Sequence, residues 1–178
     1  LEFLRELDLD DPGRLLLDQW LGLLADLTEK IYELDREVER VAVEVPEVEL
    51  LMTIPGVSSY SGLLIHAEIG EIDRFDDPDE VVSYAGLDPV VRESGETRRE
   101  GGISKRGNGY LRHILVLSAT SAVHNAKDPY LSDFYWRLRE QKGKPHKVAI
   151  VATARKLLVS IYFMLTREEP YDPPGVDS

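Results

Sequence analysis

The chain has 178 residues, no cysteine and a formal net charge of −12 at pH 7. That length is enough for one domain with a buried core, with or without an appendage. The lack of cysteine excludes a disulfide scaffold, a zinc–thiolate centre and a cysteine nucleophile, and four scattered histidines argue against a histidine-built metal centre. No long apolar run and no signal peptide are apparent, which predicts a cytoplasmic protein without a membrane span. The chain begins with Leu1 rather than Met, which suggests a fragment or a processed product.

The charge is distributed very unevenly along the chain. Residues 1–91 carry 6 Lys and Arg against 23 Asp and Glu, whereas residues 92–156 carry 14 against 6, a net charge of +8. An acidic protein repels nucleic acid on average, but a basic segment of this kind can bind a polyanion locally. The pattern therefore favours nucleic-acid binding by the middle-to-late part of the chain.

A long helix with a coiled-coil seam is predicted over residues 12–45. Pro12 suits the first helical position, Asp10 or Asp11 can cap the helix, and Pro46 ends it. Its apolar residues recur at alternating spacings of three and four, which is the a/d pattern of a coiled coil and predicts a homo-oligomer. The alternative is a helix that packs along its own domain. The seam consists of Leu17, Trp20, Leu24, Leu27, Ile31, Leu34, Val38, Val41 and Val45.

Residues 47–70 match a helix–hairpin–helix pattern. Helices over 47–53 and 58–69 are joined by a turn that contains Gly56. Glycine permits a tight turn close to a ligand, and the backbone amides of such a turn can hold a phosphate without reading sequence. However, glutamates surround the motif and residues 58–60 carry no cation. Phosphate contact by Gly56 and pure packing therefore stand as alternatives.

The remainder is predicted to be helical around one basic segment. Segment 71–91 is acidic and mostly loop, with a short helix before Gly86, and residues 88–109 contain five glycines and form a loop or a hairpin. Helices follow over 109–125, 129–142 and 145–167, and the proline-rich tail 168–178 is predicted to be disordered. The predicted fold class is mainly α. It comprises a long coiled-coil arm (1–46), then a domain (47–167) with a helix–hairpin–helix and a helical bundle with a Gly-rich basic loop.

A serine in this basic segment points to phosphoryl transfer. Serine is a poor nucleophile unless its proton is removed or its transition state is stabilised, and phosphoryl transfer relies on cations that clamp the non-bridging oxygens. Arginine suits this task because its planar fork grips phosphate through two bonds. The same residues would equally suit a loop that only binds backbone phosphate. Arg92 lies two residues before Ser94, and the cations that follow Ser94 are Arg98, Arg99, Lys105, Arg106 and Arg112.

A second cationic group belongs to the last predicted helix. Lys144 precedes the helix, Lys147 and Arg155 share one of its faces, and Lys156 follows directly. A nucleic-acid contact and a solvated cationic face are the two alternatives. For the aromatic cluster over residues 130–136, core packing is preferred to base stacking.

An ordered series of short motifs resembles one family of DNA-mobilising proteins. The motifs fall in sequence between about residues 50 and 166, and together they resemble the C-terminal domain of insertion-sequence transposases of the one-ten/one-sixteen/nine-hundred-two group. Each motif is weak alone, whereas the ordered set is specific. The motifs are Ile54-Pro55-Gly56-Val57, Ala67-Glu68-Ile69-Gly70, Arg74-Phe75, Tyr84-Ala85-Gly86-Leu87-Asp88-Pro89, Glu93-Ser94-Gly95, Ile103-Ser104-Lys105-Arg106-Gly107-Asn108, Leu111-Arg112, Gly143-Lys144 and Ala154-Arg155-Lys156-Leu157.

The resemblance implies a DNA recombinase guided by a structured RNA. In that family a RuvC-like nuclease domain binds Mg²⁺ through four acidic residues, a coiled coil follows, and the C-terminal domain supplies a serine that becomes joined to a DNA 5′ phosphate. Carried over to this sequence, the serine is Ser94, with Ser104 as the second choice, and Lys105, Arg106 and Asn108 become nucleic-acid contacts. No RuvC-like domain is expected within these residues, so no cofactor or metal site is predicted in this chain, and the chain alone is expected to be inactive.

Two other classes of function also fit the residues. One is a helix–hairpin–helix module that binds nucleic acid without performing chemistry. The other is a dimerisation domain with an incidental basic patch. A dimerisation domain would show no salt-dependent nucleic-acid binding. A binding module without chemistry would keep its function when the Ser94 hydroxyl is removed, whereas a recombinase that uses Ser94 would not.

Overall fold

The computed structural model describes residues 2–94, 97–103 and 106–173, and for Arg5 and residues 89–102 it describes the backbone only. The chain forms two compact units, Leu1–Arg40 and Val41–Ser178. The mainly α fold class is confirmed. In chain order the elements are α1 (Glu2–Arg5), α2 (Asp11–Ala42), α3 (Pro46–Met52), α4 (Ser59–Ile69), a 3₁₀ turn (Ile72–Arg74), α5 (Pro78–Tyr84), β1 (Pro89–Ser94), β2 (Thr97–Ile103), α6 (Gly109–His124), α7 (Pro129–Trp136), a π-helical turn (Arg137–Gln141) and α8 (His146–Arg167).

The long predicted helix is present as α2. Asp10 caps it, because its Oδ1 accepts a hydrogen bond from the Gly13 amide at 3.0 Å. The helix ends at Ala42 instead of the predicted Val45. A residue that precedes proline avoids helical dihedrals, and Val45 is accordingly extended (φ −114°, ψ 106°). Pro46 starts α3 instead.

The middle of the predicted seam is exposed, whereas Leu17, Val38, Val41 and Val45 are half-buried. Trp20, Leu27, Ile31 and Leu34 each keep between 53% and 67% of their surface accessible. A continuous row of large apolar side chains in water is costly, and such a row is typical of a surface that a further helix covers. The exposure therefore fits the coiled-coil prediction, which no contact within the described chain tests.

The second unit buries one hydrophobic core around α6 and α8. These two helices pack against each other; α3, α5 and α7 pack on α8, and α4 packs on α6 and α3. Among the described residues, α8 is also the one helix long and apolar enough to cross a membrane, but 56% of its apolar window is buried inside the protein. Its composition is that of a core helix. The largest fully buried side chains include Leu51, Ile54, Ile65, Leu87, Leu111, Leu115, Leu131, Leu157, Leu158 and Ile161.

The turn between α3 and α4 depends on Gly56. Its φ is +96°, and a Cβ at this position would overlap the backbone nitrogen of Ala122 and lie 2.7 Å from its Cα. The glycine thus permits a close approach to α6, so of the two alternatives for Gly56 the structure displays packing. A contact between Gly56 and nucleic acid stays a prediction. Ser58 caps α4 through a capping box with Ser61.

The helix predicted over residues 129–142 is present as a helical run over 129–141 whose type changes partway along. The helical hydrogen bonding changes after Trp136 to a π-helical turn, in which the Lys142 amide donates to the carbonyl oxygen of Arg137 at 3.3 Å. The preference for core packing of the aromatic cluster is confirmed for Tyr135, which is 3% exposed. Trp136, which follows it, remains largely exposed.

The prediction of disorder over residues 168–178 is wrong at Tyr171, and residues 174–178 lie outside the described part. The Tyr171 amide donates to Thr53 Oγ1 at 2.9 Å, and its hydroxyl donates to the buried carboxylate of Asp128 at 3.3 Å. Burial, and then the neighbouring Asp128 carboxylate, raises the pKa of Tyr171, so the hydroxyl stays protonated and keeps donating. These bonds hold the start of the tail on the domain.

Candidate nucleic-acid site

The basic segment forms two paired strands. β1 and β2 are antiparallel, with Arg92 opposite Arg99 and Glu93 opposite Arg98 in the register. Of the two structures predicted for this segment, the hairpin is therefore the one observed. Ser94 is the last residue of β1 and pairs with Thr97.

This register brings several predicted site residues into one short ladder. The backbones of Ser94, Arg92, Arg98 and Arg99 all lie within it, while the directions of their side chains fall outside the description. The other predicted members of the loop, Ser104 and Lys105, lie outside the described residues altogether. The described backbone therefore places the predicted serine and three arginines in one ladder of paired residues.

The start of α6 is joined tightly to the end of α5. The Asn108 amide donates to the Tyr84 carbonyl oxygen at 2.7 Å. A Cβ on Gly107 would overlap that same oxygen and lie 2.5 Å from the Gly86 nitrogen. The backbones that lead into β1 and out of β2 therefore touch each other, with no room for a side chain between them.

The side chain of Asn108 is fully used inside the protein. Its Oδ1 accepts hydrogen bonds from the amides of Tyr110 and Leu111, both at 3.0 Å, and thereby caps α6. Its Nδ2 donates to Glu68 Oε2 at 2.6 Å and to the Tyr84 hydroxyl at 3.3 Å. A carboxamide has two donor hydrogens and two acceptor positions, and all four have partners. Asn108 therefore connects three elements inside the protein, and its contact with nucleic acid stays a prediction.

Tyr84 lies at the centre of this connection. Its hydroxyl donates to the carbonyl oxygen of Glu68 at 3.1 Å, and the guanidinium of Arg74 lies 4.5 Å from the centre of its ring. Hydrogen bonds from Asn108 and then from Arg74 lower the pKa of Tyr84, because both donors favour the ionised oxygen. The cluster of Glu68, Tyr84 and Asn108 is called the hairpin clamp below.

Two predicted cations flank the hairpin clamp. Arg112 donates from Nη1 to the carbonyl oxygen of Ala85 at 2.9 Å and is partly exposed. Arg106 is exposed just before Gly107. The structure thus places both cations beside the base of the hairpin, and their contact with nucleic acid stays a prediction.

The two cations in the middle of α8 have partners inside the protein. Arg155 forms an ion pair with Asp79 of α5, with Nη2 and Oδ1 2.9 Å apart. The ammonium of Lys156 lies 3.7 Å from the centre of the Tyr130 ring and 4.7 Å from that of Phe134. These contacts hold α8 against α5 and α7, which gives both residues a packing role beside the predicted nucleic-acid contact.

The two earlier lysines of this group differ from Arg155 and Lys156. Lys144 and Lys147 are exposed at the start of α8. The Lys144 carbonyl oxygen accepts a hydrogen bond from Arg139 Nη1 at 2.7 Å, which fixes the backbone before the helix. The second cationic group therefore divides into an exposed pair and a packed pair.

Sequence reasoning missed the roles of Glu68 and Tyr84. Both residues occur in the family motifs, but nothing in the sequence indicated that they meet Asn108. One signal was available, since Gly86 and Gly107 both occur in those motifs and paired glycines are typical of backbones that approach closely. Among the described residues no group of three or more His, Asp or Glu side chains could hold a metal ion.

Comparisons with known proteins identify the class as transposases of insertion sequences. Residues 48–136, which include the hairpin and its clamp, match the family described as "Transposase IS116/IS110/IS902 family". The match covers half of the chain, and the chain belongs to this family.

Several curated relatives agree with this assignment. The "Transposase for insertion sequence element IS1111A" of Coxiella burnetii is 31% identical over 83% of this chain and 41% of its own length. The "Pilin gene-inverting protein" of Moraxella bovis is 31% identical over 82% and 46%, and the "Insertion element IS116 uncharacterized 44.8 kDa protein" of Streptomyces clavuligerus is 30% identical over 90% and 39%. The chain therefore spans less than half the length of these relatives.

Proposed function

We propose that this chain is the C-terminal part of a DNA transposase and supplies Ser94 as the nucleophile for strand transfer. The observation that carries the proposal is the strand register, in which Ser94 ends β1 in one ladder with Arg92, Arg98 and Arg99. Family membership supports the reaction class. The Mg²⁺ of the wider enzyme belongs, on this proposal, to a RuvC-like domain outside these residues.

The proposed chemistry is a transesterification, in which one phosphate ester bond is exchanged for another. The Ser94 oxygen attacks a backbone phosphorus, an oxygen–phosphorus bond forms, and the bond from phosphorus to the 3′ oxygen breaks. The serine loses its proton and the departing 3′ oxygen gains one, so no external oxidant or reductant is required. Attack by another 3′ hydroxyl on the serine-linked 5′ phosphate reverses the step and joins the new strand.

The role of the cations is to position the strand and stabilise its transition state. Negative charge increases on the non-bridging oxygens during transfer, and guanidinium groups offset it. Arg106 and Arg112 at the base of the hairpin extend the cationic surface along the bound strand. DNA and a structured guide RNA are the proposed polyanions, and the cytoplasm is the proposed compartment.

Nucleic-acid binding by this chain is expected to weaken steeply with salt. Each neutralised phosphate releases about one counterion, so the slope of log affinity against log salt concentration counts the contacts. Replacing both Arg98 and Arg99 by glutamine should make that slope less negative by about 2. Titrations with labelled DNA and RNA at several salt concentrations measure it.

A matched control removes the same charge elsewhere. Replacing Lys30 and Arg36 of α2 by glutamine should leave the slope unchanged. A slope near zero for the unaltered chain would contradict nucleic-acid binding and leave the dimerisation function. Equal changes in both variants would assign the binding to net charge rather than to the hairpin.

We also propose that α2 forms a coiled coil with α2 of a second copy. Replacing Ile31 by aspartate places a charge in the seam and should weaken self-association by at least tenfold, measured by sedimentation velocity. Tyr32 provides the control, because it is adjacent, similarly exposed and outside the seam. The Tyr32→Asp variant should associate as the unaltered chain does. A strictly monomeric unaltered chain at high concentration would contradict the proposal.

A further inference from the structure

The described backbone joins the hairpin that carries Ser94 to the domain at the base of the hairpin. β1 begins at Pro89, shortly after the last turn of α5, and the segment returns to the domain at Gly107. Ser94 is five residues beyond Pro89, or about 17 Å along a strand. An isolated two-stranded hairpin is only marginally stable. A small change of angle at the base therefore moves the serine by a large distance.

The base is held by polar contacts that connect three elements. Asn108 at the start of α6 donates to Tyr84 at the end of α5 through its backbone, and to Glu68 of α4 through its side chain. The 2.6 Å distance to Glu68 Oε2 is that of a charge-assisted bond, which is stronger than a bond between neutral groups. The guanidinium of Arg74 packs against the ring of Tyr84.

We propose that the hairpin clamp of Glu68, Tyr84 and Asn108 is a positioning device that fixes the angle of the hairpin and thereby presents Ser94 to the bound strand. The inference rests on the proposed function. All four hydrogen-bonding positions of the Asn108 carboxamide are occupied within the protein, so the clamp acts through the hairpin and not by contact with the nucleic acid. A displacement of about 1 Å at a reacting atom can cost about a hundredfold in rate.

One substitution at Asn108 removes its hydrogen bond to Glu68 while keeping its cap on α6. Asn108→Asp keeps the acceptor that caps α6, because aspartate caps as well as asparagine. It replaces the Nδ2 donor by an oxygen that faces the Glu68 carboxylate and repels it. Adding Glu68→Gln reverses the direction of the bond, since the glutamine amide can donate to the new carboxylate. The double variant thus restores the connection with its donor and acceptor exchanged.

The test measures the rate of covalent attachment of DNA to the full-length protein, together with its affinity for DNA. Asn108→Asp should lower the maximal rate by about tenfold or more while leaving KM for DNA within about twofold. The double variant should recover to within about threefold of the unaltered protein. Glu71→Gln is the control for Glu68→Gln, because it also removes one carboxylate, at an exposed position after α4. It should leave the rate and the affinity for DNA unchanged.

The pH dependence provides a readout that a loss of folding would not produce. Two carboxylates in contact share a proton, so the pKa of one of them is raised in Asn108→Asp. Its rate relative to the unaltered protein should therefore rise as the pH falls from 8 to 5.5, and the double variant should not show this rise. Among the described residues, Tyr84 and Arg74 are the other ionisable groups of this cluster, and both are present in every variant compared.

Hydrogen exchange distinguishes failure of this inference from failure of the proposed function. In the 178-residue chain, Asn108→Asp should accelerate exchange of the amide at position 108, and the double variant should restore its protection. If exchange responds in this way while Ser94→Ala retains full activity, the clamp exists and the serine function is wrong. A double variant no better than Asn108→Asp in rate, or an Asn108→Asp variant with an unchanged rate, would overturn the positioning role.

Discussion

Replacing Gly56 by alanine is expected to lower the free energy of unfolding by about 3 kcal/mol or more. Positive φ costs a residue with a Cβ about 1–2 kcal/mol, and forcing an extra carbon into a packed site costs about 1–3 kcal/mol. Both costs apply here, because φ is +96° and the new Cβ would meet backbone atoms of Ala122 and Ser121. Backbone atoms of a central helix cannot move aside as a flexible side chain can. Denaturant unfolding of the 178-residue chain measures the loss.

Gly143 provides the control for this experiment. Its φ is +59°, and no atom lies within 4 Å of a Cβ built on it. Gly143→Ala should therefore cost only the conformational contribution, about 1–2 kcal/mol. If Gly56→Ala were no more destabilising than Gly143→Ala, the close approach of the turn to α6 would be contradicted.

Replacing Ser94 by alanine is expected to reduce covalent attachment and strand transfer by at least about a thousandfold in the full-length protein. Alanine has no oxygen with which to form the phosphoester, whereas the cations that bind the strand remain. Affinity for DNA should accordingly change by less than about twofold. Strand-transfer assays and binding titrations on the same preparation measure the two quantities.

Ser104 is the matched control for Ser94, because both serines belong to the same basic segment. Ser104→Ala should retain activity within about tenfold of the unaltered protein. The reverse result would move the nucleophile to Ser104 and keep the reaction class. Full activity in both variants would contradict serine catalysis and favour a module that binds nucleic acid without chemistry.

Local signals in the sequence were sufficient for most of the helices. Ser58 follows a turn and caps α4, Gly143 separates the segment after α7 from α8, and the three–four spacing defines α2. Such signals act within a few residues, so the sequence alone reveals them. Apolar spacing alone extends α2 to Val45, whereas the helix ends at Ala42, because a residue before proline resists helical dihedrals.

Interactions between distant parts of the chain could not be predicted in the same way. Glu68 and Asn108 are 40 residues apart, and their contact depends on how α4 and α6 pack. Tyr171 lies in a proline-rich tail whose composition suggests disorder. Its hydroxyl nevertheless donates a hydrogen bond to Asp128, which lies 43 residues earlier in the chain. The loop-or-hairpin alternatives of the basic segment also required the strand register to decide between them.

Mapping the protein residue that becomes linked to DNA tests the central claim most directly. The full-length protein would be incubated with its RNA and DNA substrates, the covalent adduct isolated and digested, and the modified peptide sequenced by mass spectrometry. The account predicts a 5′ phosphate esterified to the Ser94 oxygen. A DNA link on any residue outside the basic segment, or strand transfer that proceeds without a covalent protein–DNA adduct, would contradict it.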